Sequence, residues 1–171
     1  MNKILYIMRG IPGSGKSTKA GTLTDSENIY STDDYWGPNY EFDISKIGMA
    51  HRWNQHRVSE AMIAEKPIIV VDNTNITWKE VDPYVVAAMR KGYDVEFVEP
   101  TSQWWHDFIE AKNKVDKNLL ELAEHAFHVK NTHNVPLFVI QKMMIRWQPT
   151  KQFIERYKEE LKKYEKLRNI S

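Results

Sequence analysis

The sequence predicts an α/β fold: a parallel sheet of four to five strands with flanking helices and a helical lid. Three observations predict it. Strand-like and helix-like segments alternate from the first residues onward, which calls for right-handed crossovers between parallel strands. Residues 4–8 and 68–71 are apolar throughout rather than alternating, as strands buried on both faces are. A glycine-rich loop stands between the first of these runs and the first helix.

Each element follows in order. Residues 3–8 form the first strand, ended by the glycine loop. A helix starts at Lys16 and runs to about Leu23. Residues 29–31 are a short second strand leading into Thr32-Asp33-Asp34. The next loop, residues 35–43, carries Gly37-Pro38 and Asn39, which mark irregular chain. Residues 44–65 hold no breaker except Gly48 and form a long helix, capped by Ser45 or by Asp43. Residues 67–72 are the clearest strand, β-branched almost throughout. Thr77 or Asn75 caps the next helix, which stops at Gly92. Residues 93–98 are a fourth strand. Residues 104–128 are polar and mostly helical. Residues 131–135 are a loop, and Pro136 suits the first turn of a helix to about Trp147. Pro149 breaks that helix, and residues 151–167 form a last, charged one. The whole, residues 1–171, is expected to be a single domain, with residues 101–134 as the lid and residues 150–171 as a C-terminal helical segment.

Composition narrows the function. A chain of 171 residues with 42% hydrophobic and 27% charged residues suits one sizeable core. There is no cysteine, so disulfides and thiolate zinc sites are excluded and a reducing compartment fits. The apolar run near the N-terminus is shorter than the roughly 7–15 residues of a secretory core, and no segment has the length of a membrane span. The expected location is the cytosol, that of the host if the protein is viral, with no membrane partner. The net charge is +1; a protein that coats nucleic acid is far more basic. Any contact with DNA or RNA should therefore be local. From residue 151 on, seven basic residues face four acidic ones.

The glycine loop reads GIPGSGKST and fits G-x-x-x-x-G-K-[ST], the phosphate-binding P-loop. Gly10, Gly13 and Gly15 allow backbone angles and approaches that a side chain would block. With Ile11, Pro12, Ser14 and Thr18 they would wrap the phosphates of ATP, backbone N–H groups pointing inward. Lys16 reaches the β- and γ-phosphates, and the Ser17 hydroxyl is the expected Mg2+ ligand. Strand before and helix after are the context the motif requires. Asn113-Lys114-Val115-Asp116 spells the base-reading N-K-x-D of a GTPase, but it sits in a polar helical stretch instead of after a buried strand. A motor ATPase would be larger. Small kinases remain.

A kinase needs a group to accept the proton of the attacking hydroxyl, or to orient it. Ligands bind at the carboxyl ends of strands in open α/β sheets, and two acidic sites end predicted strands: Asp33-Asp34 and Asp72. Asp33 would face the acceptor hydroxyl and Asp72 the Mg2+ ion or its waters. Asp also caps helices and turns. Capping is the expectation for Asp34 and the alternative for Asp33, while Asp72 could equally form a turn in Asp72-Asn73-Thr74-Asn75. Asn73, Thr74 and Asn75 would bind substrate or cap the following helix.

In order, GIPGSGKST, STDDYW, VVDNTN and KNTHNVP resemble the phage-type polynucleotide 5′-hydroxyl kinases. They are closer still to the related P-loop kinase domains of animal proteins, with a similar Tyr40-Glu41-Phe42 loop and His51-Arg52-Trp53-Asn54-Gln55 segment. The resemblance covers residues 3–147. It implies a phosphotransferase with an alcohol acceptor, moving the ATP γ-phosphate in the first place to the 5′-OH of DNA or RNA. It implies that Asp33 is the general base. Trp36 stands where the phage enzymes grip the acceptor's phosphate with an arginine. Lys130 is the nearest match to their lid arginine, with His133 and Arg146 as neighbours. The alternatives are a kinase of a nucleoside, a sugar nucleotide or a hydroxymethylated base in DNA, and a non-catalytic ATP-binding module.

Tyr35, Trp36, Tyr40 and Phe42 cluster after Asp33. They would form a small satellite core or stack on bases, which contributes about 1–3 kcal/mol per base whatever the sequence; Trp36 is the ring expected to contact the acceptor. Arg52 and Arg57 on the long helix would line the acceptor channel or lie in solvent. The histidines lack the spacing of a zinc site. Met143, Met144 and Trp147 read as core. Phe153, Ile154, Tyr157, Leu161 and Tyr164 recur at three-to-four spacing, so the last helix is expected to dock. The sequence does not determine an oligomeric state.

Overall fold

The computed structural model describes residues 2–170; the two ends of the expected 1–171 span, Met1 and Ser171, lie outside the described residues. The elements are β1 (Ile4–Met8), α1 (Lys16–Ala20), β2 (Ile29–Tyr30), α2 (Ile47–Ile63), β3 (Ile68–Val71), α3 (Trp78–Lys91), β4 (Asp94–Val98), α4 (Gln103–Lys114), α5 (Lys117–Lys130), α6 (Leu137–Arg146) and α7 (Thr150–Ile170). The four strands are all parallel, in the order β2-β3-β1-β4. Ile4 pairs with Ile68 on one side and Asp94 on the other.

The two wholly apolar runs are the central strands, as their composition demands. Successive side chains point to opposite faces. Leu5, Ile7, Ile69 and Val71 meet α2, α3 and Phe153 of α7 in the main core. Met8 and Val70 face the other way, under Ala20 of the short α1 and Leu23. β4 alternates, with Asp94 and Glu96 exposed, because it is an edge. A separate core lies between α4, α5 and α6, built on Trp105, Phe108, Phe127, Ile140 and Trp147.

Several boundaries differ from expectation, each for a local reason. α1 stops at Ala20 rather than Leu23, where the Gly21 N–H closes on the Ser17 carbonyl at 3.0 Å. The long helix begins with a 3₁₀ turn over Ile44–Lys46, capped by Asp43 and not by Ser45: the Asp43 carboxylate accepts the Ser45 N–H at 2.9 Å. Thr77, not Asn75, begins α3, with its N–H donated to Glu80 at 2.7 Å. Residues 104–128 are two helices. Val115 adopts φ 56° and Asp116 restarts the chain by accepting the Leu119 N–H at 3.0 Å. The N-K-x-D tetrapeptide is thus a helix–helix turn, in which its Asp is a cap. α7 docks as its apolar stripe predicts: Phe153 packs edge-on to Phe97 at 5.6 Å, and Tyr157 reaches the Val95 backbone. It therefore runs antiparallel to β4, carrying its basic residues away from the carboxyl ends of the strands. Among the described residues no helix is long and apolar enough to cross a membrane.

Arg9, immediately after β1, joins the two cores. It is fully buried. Its guanidinium donates to the carbonyls of Asn75 (2.9 Å), Ile76 (3.0 Å) and Gln148 (2.7 Å) and to the Thr150 hydroxyl (2.7 Å). The Trp147 and Phe153 rings lie over it, with centroids at 4.1 and 3.4 Å. Burial draws its pKa down to about 9, against the attraction of Glu99 and Glu80, so the group stays charged at neutral pH. Removing it strands buried carbonyls, each costing about 1–3 kcal/mol. Arg9→Ala is expected to lower the unfolding free energy by about 3 kcal/mol or more, read from urea denaturation. Arg9→Lys should recover less than half of that, since an ammonium cannot span four acceptors.

Candidate active site

Three loops meet at the carboxyl ends of β1, β2 and β3. The first is the glycine loop, residues 10–15. The Gly10 N–H bonds the Thr74 carbonyl at 3.0 Å, and a β-carbon there would lie 2.7 Å from the Ser14 hydroxyl and 2.9 Å from Pro100. Gly13 holds φ +79°, and a β-carbon on it would overlap the Phe127 carbonyl oxygen and come within 2.8 Å of the Asn131 nitrogen. Ile11 is fully buried in the α4–α6 core, which anchors the loop. The Ser14 hydroxyl is buried with no hydrogen-bond partner among the described residues. α4 and α5 cover the loop: the Ser102 hydroxyl donates to the Ser14 carbonyl at 2.7 Å, and the Trp104 indole N–H to the Gly13 carbonyl at 2.8 Å.

The loop delivers Lys16 and Ser17 to Asp72, at the end of β3. Lys16 Nζ lies 3.0 Å from Asp72 Oδ1, and Ser17 Oγ donates to Oδ2 at 2.7 Å. The Lys16 and Asp72 side chains are only 13% and 8% exposed, so their attraction is much stronger than between surface charges. Hydroxyl and carboxylate together are the hard oxygen donors that Mg2+ takes.

Asp33 lies at the end of β2, in a 3₁₀ turn over Thr32–Trp36. Ser31 and Asp34 cap this turn, Ser31 Oγ accepting the Asp33 N–H at 3.2 Å and Asp34 accepting the Ser31 N–H at 3.4 Å. Asp34 is the expected cap, and it also pairs with Arg57 at 2.9 Å. That leaves the Asp33 carboxylate projecting, about half exposed. The Tyr40 hydroxyl donates to its Oδ1 at 3.0 Å, and His133 Nε2 stands 3.5 Å from Oδ2. Burial, then the Asp33 charge and hydrogen bond, push the Tyr40 phenol well above its ordinary pKa; it remains a donor.

The other expected residues divide. Asn73 ties the ends of β2 and β3 together, its Oδ1 accepting the Thr32 N–H at 2.8 Å and its Nδ2 donating to the Tyr84 hydroxyl at 3.4 Å. Asn75 is 1% exposed, holds φ +47° and donates to the Met8 carbonyl at 2.7 Å. Asn75 is therefore a structural bracket and not a substrate contact. Thr74 is half-buried beside them, giving its carbonyl to Gly10. Trp36 corrects a second expectation. It is 7% exposed, edge-on to Tyr35 at 5.1 Å and to Phe42 at 5.0 Å, so its faces are covered and it is no platform for a base. Lys130 lies 4.3 Å over the Trp104 ring, and through that ring beside Gly13. Arg52 on α2 and Arg146 at the end of α6 are exposed, and among the described residues neither forms an ion pair to the loops.

Arg9, Trp104 and the pairing of Tyr40 with His133 carry no motif in the sequence. Their signal is spatial: Tyr40 is seven residues from Asp33, but His133 is a hundred.

No family model matches the chain. Over 107 residues, 60% of its length, it is 45% identical to NEDD4-binding protein 2 of Homo sapiens, covering 6% of that protein. Over 117 residues, 66% of its length, it is 31% identical to 2′,3′-cyclic-nucleotide 3′-phosphodiesterase of Mus musculus, covering 27% of it. The chain thus spans less than a third of the curated relatives it matches. A chain in a solved structure of the Pnkp1/Rnl/Hen1 RNA repair complex superposes with TM-score 0.59 over 88% of this chain and 46% of that one, at 18% identity; the likeness is one of fold.

Gly13→Ala is expected to lower stability by more than about 1 kcal/mol, read from the urea midpoint. Gly21→Ala, where φ is −63° and the nearest atoms are 3.6 Å away, should instead raise it by about 0.4–1 kcal/mol.

Proposed function

We propose that this protein is a P-loop kinase that transfers the γ-phosphate of ATP to a hydroxyl, the 5′-OH of DNA or RNA. One observation carries the reading: Lys16, Ser17 and Asp72 gather at the ends of β1 and β3, and Asp33 projects from the end of adjacent β2. Ligands of open α/β sheets bind along this line of strand ends. The names of the phosphodiesterase relative and the RNA repair complex support a nucleotide or nucleic-acid substrate.

In this reading residues 10–18 hold the ATP phosphates, and Lys16 exchanges its bond to Asp72 for one to the β- and γ-phosphates. The buried Ser14 hydroxyl, unpartnered among the described residues, fits a site that receives polar atoms. Ser17 and Asp72 would hold Mg2+, whose chemistry is to neutralise charge on the phosphates. Among the described residues no three His, Asp or Glu side chains form a metal cluster, so water and phosphate would complete the set, as is usual for this ion. The acceptor oxygen attacks the γ-phosphorus, the bond from that phosphorus to the β,γ-bridging oxygen breaks, and ADP leaves. Asp33 takes the hydroxyl proton. Residues 101–134 act as a lid, from which Lys130 leaves the Trp104 ring for the phosphates.

The test uses ATP labelled at the γ-phosphate, Mg2+ and single-stranded DNA and RNA oligonucleotides with a 5′-OH. Label should appear on the 5′ end; if neither oligonucleotide is labelled, the proposal is wrong. Asp33→Asn should lower kcat by about 10²–10⁴-fold, the usual worth of a general base, with ATP affinity changed less than about threefold by isothermal titration. Lys16→Ala should instead weaken ATP binding itself.

A further inference from the structure

Both oxygens of the Asp33 carboxylate are engaged. Tyr40 donates to one at 3.0 Å, and His133 faces the other at 3.5 Å. Each oxygen can accept a second hydrogen bond, but these two rings occupy the space beside the carboxylate, and an acceptor hydroxyl followed by a base needs that space. His133 is the one to yield. Its contact is longer than a good hydrogen bond, its side chain is 40% exposed, and it comes from the loop between α5 and α6, not from the Asp33 loop.

His133 makes a second contact. Its ring lies on the Tyr40 ring at 4.1 Å, tilted by 14°. Whatever replaces it gains an open carboxylate oxygen and, next to it, an open aromatic face. A ligand matching both carries a hydroxyl and a flat ring a short distance apart, as a nucleoside with a free 5′-hydroxyl does. Tyr40 is already held for this. Its backbone sits at φ +49°, closed by its N–H on the Gly37 carbonyl at 3.1 Å. Its hydroxyl is pinned to Asp33, and Phe42 lies parallel to it at 6.3 Å, resting in turn on buried Trp36. A ring fixed before binding loses little freedom on binding.

We infer that Tyr40 is the platform on which the terminal base of the acceptor stacks, and that His133 fills the acceptor's place while it is absent. The inference rests on the phosphotransfer reading for the identity of the hydroxyl. Nothing beside Tyr40 has to read base edges, so the platform accepts any base. The segment that carries His133 also packs against the donor side, where Phe127 and Asn131 abut Gly13.

The test measures binding by fluorescence anisotropy with two 3′-labelled oligonucleotides, one with an intact 5′-OH nucleoside and one with an abasic sugar at the 5′ end. Wild type should bind the abasic probe roughly 5- to 150-fold more weakly, the range of one base stack. Tyr40→Gly, which suits the left-handed backbone and so preserves the fold, should bind both probes equally weakly. Tyr40→Phe keeps the ring and should keep the discrimination. His133→Ala removes the competitor and should bind the intact probe several-fold more tightly. Wild type that does not distinguish the probes, or Tyr40→Gly that binds like wild type, overturns the platform. Tightening absent in His133→Ala overturns the placeholder role. The same samples with labelled ATP separate the two proposals. Discrimination in binding without phosphate transfer removes the kinase and leaves the platform. Equal transfer to both probes, in wild type and Tyr40→Gly alike, removes the platform and leaves the kinase.

Discussion

The guanidinium of Arg9 lies in the interior, held by three backbone carbonyls, one hydroxyl and two aromatic rings. Those acceptors come from the β3–α3 connection and from the start of α7, and the rings from the end of α6 and from α7 itself. They belong to two different hydrophobic cores. This one cation ties the sheet to the α4–α6 unit, alongside Ile11 in that unit's core and the bonds of Ser102 and Trp104 to the glycine loop. It also stands directly before Gly10. The position of the glycine loop relative to Asp72 therefore depends on a network whose every member must be satisfied.

The carboxylates at the strand ends already have partners before any substrate arrives. Asp72 is held by Lys16 and Ser17, and Asp33 by Tyr40, with His133 beside it. In the proposed reaction substrate binding is an exchange of partners, which spares the protein a bare buried charge at Lys16 and Asp72. The polar links behind the site have the same character. Asn73 joins Thr32 to Tyr84, and the Asn54 amide donates to Tyr84 at 3.1 Å. The ends of β2 and β3 are thereby held at a set spacing, and with them the two carboxylates. Segment 127–133 touches Gly13 at one end and Asp33 at the other, so one short piece of chain spans both halves of the site.

What could be read in advance was what depends on near neighbours in sequence. The alternation of apolar runs and helical segments leads to a four-stranded parallel sheet. Gly13 and Gly15 are legible because a positive φ is demanded within the loop itself. Asp72 is legible from its place at the end of a wholly apolar strand, and Asp34 from the short-range capping rule. Helix ends slipped where one local signal competes with another. Gly21 outweighs Thr22-Leu23, Asp43 outcompetes Ser45, and Val115 turns the chain inside what reads as one polar helix. Trp36 was misplaced for a different reason. Aromatic side chains suit a small core and a base platform equally, and only the surrounding rings tell which.

By itself, then, the sequence determined the sheet, its helices and the loop with its lysine and serine, because these follow from backbone geometry and from periodicities of two and 3.6 residues. Tertiary structure alone decided which groups face one another across long sequence separations. It placed Asn75 in the interior, Trp36 beneath Phe42, Trp104 over Gly13, and His133 on Tyr40 beside Asp33. It also made Arg9 a junction where the sequence offers only a residue between a strand and a glycine. Such contacts depend on how separate segments pack in three dimensions, and no local pattern of residues encodes the distance between them.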